Sequence, residues 1–136
     1  MSLFHVFKIA GSGLQAQTVR MNTTASNLAN ADSVANKPEE AYRARQPVFS
    51  AELSALQSGQ TPGVQIKGVV ESDADVTMRY EPNNPIADEK GYVYGSNVNT
   101  VEELVNMISA SRSYQNNIEV MNNSKQMLLR TLQLGK

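Results

Sequence analysis

The sequence predicts an α+β chain in which two long terminal α-helices pair as a coiled-coil-like hairpin, with a small β-rich insert between them. Three observations carry that expectation. Apolar side chains recur at alternating three- and four-residue steps towards both ends of the 136 residues. All five prolines fall between Lys37 and Asn97. That same middle stretch holds short runs in which apolar and polar residues alternate, the pattern of half-exposed strands. The expected division is residues 1–36 for the first helix, 37–98 for the insert and 99–136 for the last helix.

The first helix is expected from about Leu3 to Ala31. Leu14, Thr18, Met21, Ala25 and Leu28 form a heptad-like seam, and Leu3, Phe7 and Ala10 continue it upstream with one extra residue at the junction. Gly11 and Gly13 lie near this phase shift, where each costs a helix interior about 1 kcal/mol relative to alanine. Close approach of a second helix accounts for them better than a phosphate loop, which would need a preceding strand and a following Gly-Lys-Ser/Thr. Asp32-Ser33 and Lys37-Pro38 offer stopping points.

Within the insert, Arg43–Phe49, Val64–Lys67, Val76–Tyr80 and Tyr92–Tyr94 read as strands. Glu81-Pro-Asn-Asn-Pro85 and Glu89-Lys-Gly91 read as turns, and Gln57–Gly63 as a surface loop. The last helix opens on Thr100-Val-Glu-Glu103, which has the form of a capping box. Leu104, Ile108, Ser111, Tyr114, Ile118, Met121, Lys125, Leu128 and Leu132 then share one side, and Gly135 ends the helix. The proline-free span from Thr100 to Gln133 measures about 50 Å at 1.5 Å per residue. Such helices draw most of their stability from packing. They are expected to pack on each other, on other molecules, or on both.

Composition excludes several functions. A net charge of −1 argues against general nucleic-acid binding, which needs a basic field to displace counterions. The absence of cysteine removes disulfides, thiolate chemistry and Cys-ligated zinc. No apolar run exceeds three residues, far short of a bilayer span, and the first ten residues lack the apolar centre of a cleavable signal. His5 is the only histidine and founds neither a zinc site nor a triad. Glu71, Asp73 and Asp75 form a short acidic run without the longer ligand series of an EF-hand loop. No catalytic constellation and no cofactor is expected. What stands out is uncharged polarity. Asn27, Asn30, Asn106, Gln115 and their neighbours crowd segments that should pack, and buried amides specify register at a cost in stability. The chain looks built to complete its packing on neighbours, although a loosely packed monomeric hairpin has the same composition.

The residues that carry this polarity also carry a resemblance. Leu14-Gln-Ala-Gln-Thr-Val-Arg-Met-Asn-Thr-Thr-Ala-Ser-Asn-Leu-Ala-Asn-Ala-Asp-Ser33, centred on Ala25-Ser-Asn-Leu-Ala-Asn30, resembles the N-terminal signature of bacterial flagellar rod and hook proteins. Glu103-Leu-Val-Asn-Met-Ile-Ser-Ala-Ser-Arg-Ser-Tyr-Gln115 and Lys125-Gln-Met-Leu-Leu-Arg-Thr-Leu-Gln-Leu-Gly135 resemble its C-terminal counterpart. Tyr42-Arg-Ala-Arg45, Tyr80-Glu-Pro-Asn-Asn-Pro85 and the short middle resemble proximal-rod members rather than the longer distal-rod and hook proteins.

The resemblance implies a non-enzymatic structural subunit of the basal-body rod, exported by the flagellar type III apparatus without signal cleavage into the periplasm. It implies terminal helices that pair as the inner layer of a tube, an insert that faces outward, and ends that order on assembly. The implied partners are other proximal- and distal-rod proteins, the rod-base adaptor FliE and further copies of the chain. The candidate helix-packing and assembly residues are Leu14, Gln17, Arg20, Met21, Asn27, Leu28 and Asn30 in the first helix. In the last helix they are Leu104, Val105, Ile108, Tyr114, Gln115, Ile118, Met121, Lys125, Leu128 and Leu132. The competing readings are a soluble helical adaptor or export chaperone that binds without polymerising and, ranked last, an enzyme using Asp73 and Asp75.

Overall fold

The computed structural model describes residues 3–51 and 61–135. In chain order these form α1 (Leu3–Ala29), β1 (Val34–Ala35), β2 (Arg45–Ala51), β3 (Val64–Glu71), β4 (Thr77–Tyr80), β5 (Tyr92–Gly95) and α2 (Thr100–Leu134). The architecture is the α+β arrangement the sequence predicts. Gln57–Gly63, expected as a surface loop, lies outside the described residues as far as Gln60; 61–63 have no regular structure. Among the described residues no helix is long and apolar enough to cross a membrane.

The two helices run antiparallel. Gly13 sits beside Asn117, and seven residues further along α1 the Arg20 Nη2 donates to Asn106 Oδ1 at 3.0 Å, further back along α2. At 35 residues against 27, α2 is the longer by about 12 Å. Its last turns therefore run past the first described turn of α1.

The seam between them differs from the expected one. Leu14, Met21 and Leu28 lie on the predicted α1 seam, and Ile118, Met121 and Leu128 on the predicted apolar side of α2. Instead the fully buried helical positions are small or polar: Ala10, Ala16, Thr23, Thr24 and Asn27 on α1, and Glu103, Ala110 and Ser124 on α2. Five of the six expected residues are half-buried, Ile118 is exposed, and Thr18 and Ala25 face solvent. The physical reason lies in side-chain size: helices that approach closely place small residues in the seam and larger aliphatic ones beside it. On α2 the row Met107, Tyr114, Met121 and Leu128 is half-buried along its whole length, whereas Leu104, Ile118, Lys125 and Leu132 of the adjacent row are exposed.

The start of α2 is also one residue off expectation. Asn99, not Thr100, is the N-cap, and its side chain accepts from the amides of Val101 and Glu102 at 3.1 and 3.3 Å. Asparagine caps at least as well as threonine, and the shift leaves Glu103 as a buried residue of the first turn rather than half of a capping box.

The insert is two small antiparallel sheets. One has the order β1-β5-β4, with β5 central and Val93 fully buried. Gly95 permits the close β4–β5 approach, since a Cβ there would lie 2.6 Å from Thr77 Oγ1. Tyr80 and Tyr92 stack across the pair with ring centroids 5.1 Å apart. β1 pairs Val34 with Gly95 and Ala35 with Tyr94. The other sheet is the β2–β3 ribbon, bulged between Val48 and Phe49, which puts apolar side chains on both its faces. It lies along α1, where the Val64 amide donates to Ser12 Oγ at 3.0 Å.

The glycine positions generate a paired prediction. A Cβ on Gly13 would lie 3.0 Å from Asn117 Nδ2, whereas one on Gly11 would meet nothing within 4 Å. Gly13→Val should therefore lower the unfolding free energy by about 1–3 kcal/mol through overpacking. Gly11→Ala should raise it by about 0.5–1 kcal/mol through helix propensity. Urea titrations of the two variants check both signs.

Candidate assembly interface

The hairpin and the insert meet at one buried carboxamide. Asn27, in the last turns of α1, is fully buried. Its Nδ2 donates to the Arg45 carbonyl at 2.8 Å, and its Oδ1 accepts from the Arg45 amide at 2.9 Å and the Tyr42 hydroxyl at 3.0 Å. In this way a side chain on α1 pairs both backbone groups of the first residue of β2, as a neighbouring strand would. Tyr42 is held in turn by Ser26 at 3.2 Å and lies under the Arg45 guanidinium, 5.5 Å from the ring centroid. Asn97 does similar work from the other end of the insert: Oδ1 accepts from the Ala44 amide at 2.7 Å and Nδ2 donates to the Ala74 carbonyl at 2.8 Å. Ser96 Oγ donates to the Ala31 carbonyl at 2.6 Å, and Asn30 Nδ2 to that of Ser26 at 2.8 Å.

Asp88 organises the β4–β5 turn. Its Oδ1 accepts from the amides of Tyr92 and Lys90 at 2.8 and 2.9 Å, and the Tyr92 amide foremost holds its carboxyl below the usual value of 3.8. Removal from water, then the facing Asp88, pushes the Tyr94 phenol up. The acidic run Glu71, Asp73 and Asp75 is solvent-exposed. Glu71 pairs with Arg45 at 3.1 Å, and Arg43 donates to the Ser72 and Ala74 carbonyls at 3.2 Å. Among the described residues no three acidic or histidine side chains converge to hold a metal ion.

The outer faces carry the apolar surface. Val101, Leu104, Val105 and Ile108 make a stripe along α2 on the side away from α1, each 48–70% exposed. Beyond the hairpin, Met127, Leu129, Leu132 and Leu134 are 49–89% exposed. Val48, Phe49, Val69 and Val70 extend apolar surface over the ribbon. Between α1, α2 and β2 lies a polar cleft of about 250 Å³ whose lining includes Arg20, Arg45, Phe49, Glu102, Glu103 and Asn106. Fully buried apolar residues, by contrast, number only five alanines and Val93 among the described residues.

Comparison with known proteins places matches on the elements that build this surface. A family described as "Flagella basal body rod protein" matches residues 7–36, and one described as "Flagellar basal body rod FlgEFG protein C-terminal" matches residues 89–134. Over its whole length the chain is 52% identical to the flagellar basal-body rod protein FlgC of Escherichia coli O6:H1, covering 100% of both chains. It is equally similar to FlgC of Salmonella typhimurium, and 37% identical to that of Buchnera aphidicola subsp. Baizongia pistaciae, each again over 100% of both chains. The chain belongs to the FlgC family of flagellar basal-body rod proteins.

In this FlgC-family fold the residues singled out from sequence separate into distinct positions. Asn27 and Arg20 are inward ties, and Leu14, Gln17, Met21, Leu28, Asn30, Tyr114, Met121 and Leu128 are half-buried. Leu104, Val105, Ile108, Gln115, Ile118, Lys125 and Leu132 are exposed. Of the close-packing residues, sequence reasoning placed Ala10 in the seam and missed Ala16, Ala110 and Ser124, whose small size at helical spacing was the available signal. It also missed Asn97 and the ties of Tyr42 to Asn27 and Ser26, for which no local signal exists.

Two predictions follow from the ties. Asn27→Leu leaves the Arg45 amide and carbonyl unpaired and should cost about 2–4 kcal/mol, since each buried orphan costs roughly 1–3; Asn27→Asp, which keeps the acceptor, should cost less, as thermal melts would show. For Asp88 the folded-state pKa is depressed, so the unfolded chain binds more protons between the two values. Its stabilisation is complete above the unfolded value, near 4, and is lost as pH falls through the folded one. Asp88→Asn should flatten the pH dependence of melting below about pH 4, relative to the unsubstituted chain.

Proposed function

We propose that this FlgC-family chain works as a structural subunit of the flagellar basal-body rod, joining other rod components through its terminal helices in the tubular shaft that transmits torque. The observation that supports this most directly is the inverted apolar inventory. Small and amide side chains close the hairpin, and most large aliphatic ones point outward. An exposed apolar surface of that extent marks an interaction site. The accessible surface of 9343 Å² points the same way, because a compact monomer of this mass exposes roughly 7,000 Å².

On this reading residues 1–36 and 99–136, which hold α1 and α2, form the inner-tube helical domain, and residues 37–98 face outward. Leu14, Met21, Leu104, Val105, Ile108, Ile118 and Leu132 meet neighbouring subunits. Those neighbours are other rod proteins, the rod-base adaptor FliE and further copies of the chain. The chain reaches the periplasmic rod through the flagellar type III export apparatus. Its work is mechanical and uses no catalysis and no cofactor.

The test uses an exposed residue so that assembly and folding separate. Leu132 is 62% exposed, and a surface substitution there should change monomer stability by no more than about 0.5 kcal/mol. Leu132→Asp in cells whose only FlgC-family chain is this one should abolish rod assembly and swimming while its melting curve stays put. Normal swimming by that variant would overturn the reading.

A further inference from the structure

The outer edge of β3 is open, and the hydrogen bonds around the ribbon fix which of its backbone groups point outward. The Ser72 amide donates to the Ala44 carbonyl at 2.8 Å, which continues the β2–β3 ladder. In an antiparallel pair such bonded positions alternate with unbonded ones. Arg45 and Glu71 are therefore an unbonded pair, and so are Pro47 and Val69. The surroundings of β2 agree: Asn27 takes the amide and the carbonyl of Arg45 from outside the ribbon, and Pro47 has no amide to give. On β3 the backbone groups of Val69 and Glu71 turn away from β2 in the same manner, and the two-stranded sheet supplies no further strand to meet them. The bulge leaves Lys67 without a partner on β2. At the far end the Val64 amide is already bound to Ser12 Oγ, so the open stretch is Lys67–Glu71.

An open edge accepts an added strand, and side chains decide which one. Lys67, Val69 and Glu71 share one face at two-residue spacing, and all three are exposed. A strand laid antiparallel with its centre on Val69 must bring an acid to Lys67, an apolar residue to Val69 and a base to Glu71. Lys67-Gly-Val-Val-Glu71 itself offers base, apolar residue and acid at that spacing, so a second copy meets all three demands. In this register Lys67 of each copy faces Glu71 of the other, and the two Val69 side chains face each other. Glu71 is free to respond, because both Arg45 donors go to its Oε1, at 3.2 and 3.1 Å. On the opposite face Val70, 52% exposed, lies across from Gly68 of the other copy, where a Cβ would meet nothing within 4 Å and the valine has room. An edge lysine ordinarily discourages pairing. Here the register cancels it, and sliding by one step of the ladder in either direction removes both ion pairs.

We propose that Lys67–Glu71 is a self-association edge, on which a second copy of this chain pairs antiparallel to make one continuous sheet from the two ribbons. Such a contact is isologous and closes on itself. It lies apart from the terminal helices and does not depend on the rod-subunit reading.

Sedimentation equilibrium of the full-length chain over a wide concentration range tests it. A monomer–dimer equilibrium that weakens as salt rises is expected. Lys67→Glu and Glu71→Lys each set like charges opposite one another twice, and each alone should weaken the dimer at least about tenfold. An equimolar mixture of the two variants should regain it, since opposite charges then face each other across the pair. Association through another surface would not respond in that crosswise way. The chain has no cysteine, so Val69→Cys oxidised with diamide gives a second readout that serves if Glu71→Lys fails to fold. Covalent dimers should form, and at least about tenfold more slowly when Lys67→Glu is added. A chain that stays monomeric at every concentration, association that the charge reversals leave unchanged, or a mixture that fails to recover would overturn the proposal. Swimming by Leu132→Asp cells bears on the rod reading alone.

Discussion

Everything in this molecule is oriented by the side chain of Asn27. Three hydrogen bonds, to Tyr42 and to both backbone groups of Arg45, fasten the end of α1 to the start of β2. The registry of the insert on the hairpin follows from that junction, because the same stretch of chain is clamped again by Asn97 at Ala44 and by Arg43 at Ser72 and Ala74. A hydrophobic junction would permit sliding. Directional bonds in a dry site admit one geometry, and a half-satisfied arrangement is penalised. The amide-rich signature Ala25-Ser-Asn-Leu-Ala-Asn30 is therefore a positioning device, with Ser26 and Asn30 holding the turn around it.

That device is needed because the apolar core is so slight. Five alanines and a valine are its fully buried members among the described residues, and none can supply what a buried leucine or phenylalanine would. Small residues let α1 and α2 close, and the large aliphatic side chains are displaced to the flanks and outer faces. Inward groups set geometry, and on the rod-subunit reading outward groups supply the energy of association. A subunit divided in this way would gain further stability as neighbours cover it, since burial offsets the cost of ordering the chain.

Much of the fold was legible beforehand, for reasons that differ element by element. The helices could be read because their period is sustained over many turns, and the four longer strands because alternation and turn residues bracket them. β1 could not, since two residues hold no period. The inward face was misjudged because the seam itself is filled by small and polar residues, while large apolar ones lie beside it and on the side that faces water. Where a chain must pack on neighbours, hydrophobic pattern marks where burial will occur and is silent on whether the burying partner is the chain itself. The ties at Asn27, Tyr42 and Asn97 join residues 15 to 53 positions apart, and no local pattern encodes such pairs.

The amount of uncovered surface bears on what kind of assembly this is. The excess over a compact monomer is about 2,300 Å². A standard interface takes roughly 800 Å² from each partner. One dimer contact would leave most of the excess in water, whereas two or three neighbours would cover it. On the rod-subunit reading the chain is met on several sides, and the placement of its apolar patches agrees with that reading. They lie on the outer side of α2, on the overhanging tail and on the β2–β3 ribbon, three surfaces that one partner of ordinary size cannot reach at once. On that reading stiffness comes from the combination: amide ties that forbid sliding within a subunit, and apolar faces pointing in several directions that would bind each subunit to more than one other.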